Sequence, residues 1–178
     1  MSLRSLFKQI RDDWIAHERD WTRPGFRAVA VHRFGNWRLG VKPKLLRAPF
    51  SVLYRLLFRH VRNVYGIELP YTAKVGRGVI FEHQSGVVIH GSCVIGDGCV
   101  IRQGVTIGNR DWETRFQAPT LGNRVNVGAG AKIIGPIAIG EGATIGANAV
   151  VLADVPAGAT AVGIPARIVK RAGPGRSA

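Results

Sequence analysis

Acidic residues are scarce in this chain: 11 Asp plus Glu stand against 25 Lys plus Arg in 178 residues, and cysteine occurs only twice. Two cysteines exclude a disulfide-rich secreted scaffold. No uncharged stretch approaches the ~18 residues that a spanning helix needs, and no basic n-region leads into an apolar h-region. These absences predict a reduced, cytoplasmic, non-spanning protein. Disorder is excluded as well, because hydrophobic residues make up 46% of the chain, enough for one domain with a real core and a small appendage. The 23 glycines follow no collagen triplet and point instead to an ordered fold with many tight turns.

The formal net charge of +14 is lopsided. Residues 1–64 hold 14 Lys or Arg and only four acids, Asp12, Asp13, Glu18 and Asp20. A basic surface of this kind suits nucleic acid, an anionic membrane face, an acidic glycan or a phosphorylated cofactor, and charge alone does not choose among them. Trp14, Trp21, Trp37 and Trp112 form no spaced stacking platform and no nucleic-acid motif accompanies them, so nucleic acid is not expected as a partner.

The same 1–64 segment reads as α-helical. Apolar residues recur every three or four positions at Leu3, Phe7, Ile10 and Trp14, again from Phe26 to Trp37 after Pro24, and again at Leu46, Phe50, Leu53, Leu57 and Val61 after Pro43. The third stripe, flanked by Arg47, Arg55, Arg59 and Arg62, suits either a packing face or a membrane surface, and packing is the expectation. His17, His32 and His60 fall on these helices without a second ligand at useful spacing and read as surface or interhelical groups.

From residue 65 the period becomes six. Leu69, Val75, Phe81, Ile89, Ile95, Ile101, Ile107, Leu121, Val127, Ile133, Ile139, Ile145 and Val151 are all apolar. Six residues fit a short strand plus a corner; three such units close a triangular coil, and the thirteen make roughly four coils stacked about 4.8 Å apart. Cys93 and Cys99 occupy the small-residue slot of consecutive units, a packing address, and no metal site is expected.

The repeat breaks twice, and interruptions in a solenoid tend to carry function. Two extra residues enter around Glu82-His83-Gln84-Ser85-Gly86, and a polar excursion over residues 109–120, with Arg110, Trp112, Arg115 and Phe116, leaves the prism. The predicted organisation is therefore a helical region at 1–64, a repeat domain at 65–171 ending in a cap, and a flexible tail at 172–178.

The hexapeptide repeat, the histidine in its two-residue bulge, the run from Val127 to Gly135 and the ending Gly163-Ile164-Pro165-Ala166-Arg167-Ile168-Val169 resemble the serine acetyltransferases. So do Arg19-Asp20 and Gly25-Phe26-Arg27-Ala28. The resemblance implies a mainly β fold, a left-handed parallel β-helix with an N-terminal α-helical region, against the usual right-handed crossover rule. It implies acetyl transfer from acetyl-CoA to a hydroxyl, in a groove between the subunits of a homotrimer that the excursion loop helps to close. His83 would be the general base, since imidazole titrates near the working pH, at about 6.5. Glu68, fifteen residues upstream where the family has Asp, would orient it. Main-chain amides near Gly128, Ala129 and Ala147 would line the pantetheine arm, with Lys132, Arg167 and Lys170 meeting the phosphates.

For the acceptor, the resemblance maps serine recognition to Asp20 and Glu82 and to an Arg-His pair before a proline. Here that pair is Gln117 and Ala118 before Pro119. Arg to Gln removes a charged donor worth about 1.5–3 kcal/mol per bond, which Arg110 or Arg115 of the same loop would have to replace. Three readings follow: a serine O-acetyltransferase of cysteine synthesis, an O-acetyltransferase for a sugar hydroxyl in polysaccharide synthesis, and a noncatalytic solenoid held on an acidic surface. The helical region is shorter than in the longer family members, so a trimer is expected rather than a dimer of trimers, with peripheral membrane contact through the basic helices left open.

Overall fold

The computed structural model describes residues 2–113 and 115–170. Three helices precede the repeat: α1 (Leu3–Ala16), α2 (Pro24–Trp37) and α3 (Lys44–Tyr65). Local chemistry sets their ends. The Ser2 hydroxyl accepts from the Ser5 amide at the start of α1, Pro24 opens α2 at a position where its missing N–H is not needed, and Gly66, at φ 64°, closes α3 in the left-handed region. Between α2 and α3, Arg38 lies sandwiched by the rings of Tyr54 and Tyr71 at 4.6 and 4.5 Å.

Among the described residues fifteen short strands follow, arranged as the three walls of a prism. The first wall stacks β1 (Ile67–Glu68), β4 (Val87–Ile89), β7 (Thr106–Gly108), β10 (Lys132–Ile134) and β13 (Val150–Val151). The second stacks β2 (Lys74–Val75), β5 (Val94–Ile95), β8 (Thr120–Leu121) and β11 (Ala138–Ile139). The third stacks β3 (Ile80–Phe81), β6 (Val100–Ile101), β9 (Asn126–Val127), β12 (Thr144–Ile145), β14 (Thr160–Val162) and β15 (Arg167–Lys170). All pairings are parallel except β14 with β15, the terminal cap. The register sets like on like, with Ile89 on Ile107, Ile107 on Ile133 and Ile133 on Val151.

The stack is one level taller than the four coils that the repeat count predicts. Val155 bridges to Ile139 and Ala161 pairs with Ile145, so a fifth level forms although its residues break the six-residue period. Each buried aliphatic side chain is worth about 1.5–3 kcal/mol, whereas exposed corner pairs such as Arg124–Glu141 contribute about 0–1 kcal/mol. The aliphatic ladder therefore holds the prism together. Cys93 and Cys99 lie in it as expected, both fully buried, and burial pushes the Cys93 thiol up to about 12.

At the opposite end, β1, β2 and β3 are edge strands whose outward backbone groups lack a next coil. The helices supply the partners. His32 Nε2 donates to the Ala73 carbonyl (2.9 Å), Arg33 donates to the carbonyls of Val75 (2.6 Å) and Gly76, and the Tyr54 hydroxyl accepts from the Tyr71 amide. His17 donates from Nδ1 to the Asp13 carbonyl (2.8 Å) and accepts the Phe81 N–H at Nε2 (3.3 Å). His17 and His32 are thus buried caps on strand edges, which corrects the expectation that they are surface or interhelical residues. Desolvation holds both imidazoles neutral, with His32 brought down to about 4 and His17 lowered in the same direction. Arg33 is itself fixed by a buried ion pair with Asp13 at 2.8 Å.

Candidate functional site

The bulge between β3 and β4 is the one corner of the first coil where the chain takes left-handed backbone at non-glycine positions: His83 has φ 64° and Ser85 φ 83°, followed by Gly86 at φ 70°. Such angles turn a side chain out of the stack. His83 is accordingly exposed, with no hydrogen-bond or ion-pair partner among the described residues. The ring faces a cleft of about 820 Å³. Phe81, Glu82, Gln84 and Gln103 line it from the prism, Glu18 from the turn after α1, and Arg23, Pro24 and Gly25 from the start of α2. Gly25 permits that approach, since a Cβ there would fall 2.0 Å from the Phe81 carbonyl oxygen.

Below His83 the same corner continues coil by coil. Gly104 donates its N–H to the Ser85 carbonyl (2.9 Å), Gly130 to Gln103 (2.8 Å) and Asn148 to Ala129 (2.8 Å). Gly86, Gly104, Gly130 and Asn148 all take positive φ in this column. A Cβ on Gly104 would meet Gly130 Cα at 3.3 Å, and one on Gly130 would fall 2.0 Å from the side-chain Oδ1 of Asn148. The glycines therefore keep a trough that starts at His83 free of Cβ atoms as far as the Asn148 side chain. Gly128, Ala129 and Ala147 belong to it: a Cβ on Gly128 would lie 2.6 Å from the Ala147 amide nitrogen. An extended arm with amide groups fits such a surface, whereas side chains would block it.

The remaining sequence-predicted groups are distributed unevenly. Glu82 borders the cleft and pairs with Arg102 at 2.9 Å. Glu68 lies in β1 opposite Val88 and makes no hydrogen bond or ion pair with His83 among the described residues. Asp20 does not line the cleft; its carboxylate accepts from the Thr22 hydroxyl and amide, which with Arg23 and Arg27 nearby holds it below the usual range. Lys132 Nζ donates to the Gly104 carbonyl inside the column. Arg167 is exposed in β15, and Lys170 joins the same strand with its side chain outside the described residues. The predicted tail at 172–178 also lies outside them.

Arg110, Arg115 and Gln117 sit elsewhere. The excursion joins β7 of the first wall to β8 of the second, while the His83 corner joins the third wall to the first. Arg115 packs over the exposed rings of Trp112 (5.2 Å) and Phe116 (4.8 Å), and Gln117 lines a separate groove with Ser92 and Thr120. Sequence reasoning missed Glu18, Arg23, Gln84 and Gln103. Gln103 had a legible signal: it follows Ile101 by two positions, as His83 follows Phe81, Ala129 follows Val127 and Ala147 follows Ile145. Among the described residues no His, Cys, Asp and Glu group is arranged to hold a metal ion.

Residues 118–153 match the family model for the bacterial transferase hexapeptide (six repeats). The serine acetyltransferase of Synechococcus elongatus is 43% identical, over 94% of this chain and 70% of that protein. The chain belongs to the serine acetyltransferase family. Two solved family members have closely similar folds. The Brucella abortus serine acetyltransferase in complex with coenzyme A superposes with a TM-score of 0.81 at 28% identity, covering 96% of this chain and 70% of that one. The soybean serine acetyltransferase complexed with serine gives 0.78 at 36% identity, covering 93% and 70%. The left-handed parallel β-helix expected from the sequence is the fold of this acyltransferase family, and the chain is an acyltransferase.

Proposed function

We propose that this chain is an acetyl-CoA-dependent serine O-acetyltransferase with His83 as general base. The carrying observation is the exposed His83 ring, turned by its positive φ into the cleft at the head of the glycine-lined column. In this reading an unprotonated ring nitrogen takes the hydroxyl proton of L-serine as that oxygen attacks the thioester carbonyl. The imidazolium then returns the proton to the departing thiolate of coenzyme A, so that O-acetylserine and free thiol form with no net change at the histidine. Glu82 and Asp20 would meet the serine ammonium, and Glu68 would steady the ring once substrate draws the corner together. Gly128, Ala129 and Ala147 would flank the pantetheine arm; Arg167 and Lys170 would serve the phosphates.

The excursion and the His83 corner lie on different edges of one prism. A second copy is needed to bring them together, which supports a homotrimer with shared sites, and acetyl-CoA as donor supports a cytoplasmic setting. The test is thiol release with acetyl-CoA and L-serine. His83→Ala should lower kcat/KM by about 10²–10⁴-fold while leaving the fold intact, because the ring is exposed; unchanged turnover would refute the assignment. One observation favours a second reading. Gln117 and Ala118 offer no cation for a carboxylate, so a sugar hydroxyl is the alternative acceptor, and release with a saccharide but not with L-serine would establish it.

A further inference from the structure

Helix α3 carries an apolar surface that the rest of the described fold does not use. Its inner side is spent on the domain: Tyr54 and Val61 are buried, and Phe50 and Phe58 are partly so. The packing expected of its stripe holds only for that side. Leu45 is 83% exposed, Leu46 59%, Leu56 56% and Val64 60%, with Leu53 and Val52 close behind. At 100° per residue these positions share one broad arc. Alongside it runs a strip of cations, Lys44, Arg55, Arg59 and Arg62, all exposed. The 22 residues of α3 contain no Asp or Glu. Among the described residues none of its cations enters an ion pair; Arg55 donates to the Ser51 carbonyl, and Arg62 donates to the Asn63 side chain and lies over the Phe58 ring at 5.7 Å.

We infer that this face docks on an anionic phospholipid bilayer, with the leucines seated at the headgroup boundary and the arginines on lipid phosphates. Charge complementarity selects that occupant. A helix with a wide apolar arc, basic flanks and a low overall hydropathy lies in the interface plane instead of crossing it, and no described helix is long and apolar enough to cross. A second copy seated here would bring another set of cations to a seam without acids in α3. Of the four acids elsewhere in the helical region three are already engaged, Asp13 by Arg33 and Glu18 and Asp20 by Arg23, which leaves Asp12 on α1 as the one acid a second copy could offer to this run of cations. The helix is about 33 Å long at 1.5 Å per residue, long enough to anchor the chain in a defined orientation.

Docking would also place the catalytic corner. The Tyr65 carbonyl at the end of α3 accepts the Ser85 N–H (2.9 Å), and the Gly66 carbonyl accepts from Val87 (3.0 Å). The bulge that carries His83 is therefore tied by main-chain hydrogen bonds to the last turn of the docked helix. The inference is independent of which hydroxyl accepts the acetyl group.

The test is vesicle flotation of the full chain with phosphatidylglycerol–phosphatidylcholine vesicles against pure phosphatidylcholine, alongside light scattering for mass. The chain should float with the anionic vesicles, and Arg55→Gln with Arg59→Gln should weaken partitioning by about thirty-fold. Leu53→Glu with Leu56→Glu should abolish it, with thiol release from acetyl-CoA retained as the check on folding. Equal flotation with both vesicle types, or flotation untouched by the variants, would overturn the inference. So would a loss of assembly mass in the Leu53→Glu, Leu56→Glu chain, which would assign the face to another copy.

Discussion

Replacing Arg33 by Met tests whether the helices cap the prism through one buried ion pair. The guanidinium donates to the Asp13 carboxylate at 2.8 and 3.2 Å and to the carbonyls of Val75 and Gly76. Asp13 is 1% exposed. Arg33→Met leaves that carboxylate buried without its partner, at a cost of about 3–5 kcal/mol, a large share of the 5–15 kcal/mol typical of a domain. The pair as a unit contributes far less, because both charges were desolvated to form it. Adding Asp13→Leu should therefore recover the carboxylate's share of the loss, leaving about 1–3 kcal/mol for each of the two carbonyls deprived of a donor. Urea unfolding at one fixed protein concentration, followed by tryptophan fluorescence, measures this, since Trp14 and Trp37 lie on the two helices concerned. A single variant losing less than about 1 kcal/mol, or a double variant no better than the single, would refute the cap.

Two further outcomes follow from the same end of the prism. His32 sits at about 4 in the fold against 6.5 in the open chain, so its neutral form favours folding. That contribution, about 3 kcal/mol, is complete above pH 6.5 and is lost as the pH falls towards 4. His17 adds a loss in the same direction. Denaturation midpoints measured across this window should drop, and His32→Gln should flatten the fall. Gly25→Ala should cost about 1–3 kcal/mol and raise the KM for acceptor, because its Cβ would meet the Phe81 backbone and push α2 off the cleft wall; an unchanged melting temperature would show that α2 does not depend on that contact.

The walls of the prism were legible because the period of six is a direct image of the register: Ile95, Leu121 and Ile139 are spaced by coils and stack in space. The fifth level was not, since Val155 follows Val151 by only four residues and Ala161 is too small to stand out. His83 was legible from the insertion that displaces it. The role of His17 and His32 was hidden, because a helix pattern reveals which side is apolar but not that strand edges elsewhere need donors and acceptors. Helix α3 shows the same limit: its stripe was visible, while the arc that neighbours cover depends on how α2 lies against it. Glu68 and Asp20 were named from the resemblance alone; in the fold Glu68 lies opposite Val88, and the Asp20 carboxylate accepts from Thr22 in the turn leading to α2.

The trough beneath His83 is made of whole coils, and this gives it a built-in ruler. Ala147 lies three levels below the bulge, about 14 Å at 4.8 Å per level. Inserting or removing one complete coil would alter the reach of the trough by a single step while the imidazole, α2 and their contacts stayed as they are. If the proposed assignment holds, accommodation of a longer or shorter acyl carrier would thus change separately from the chemistry at His83.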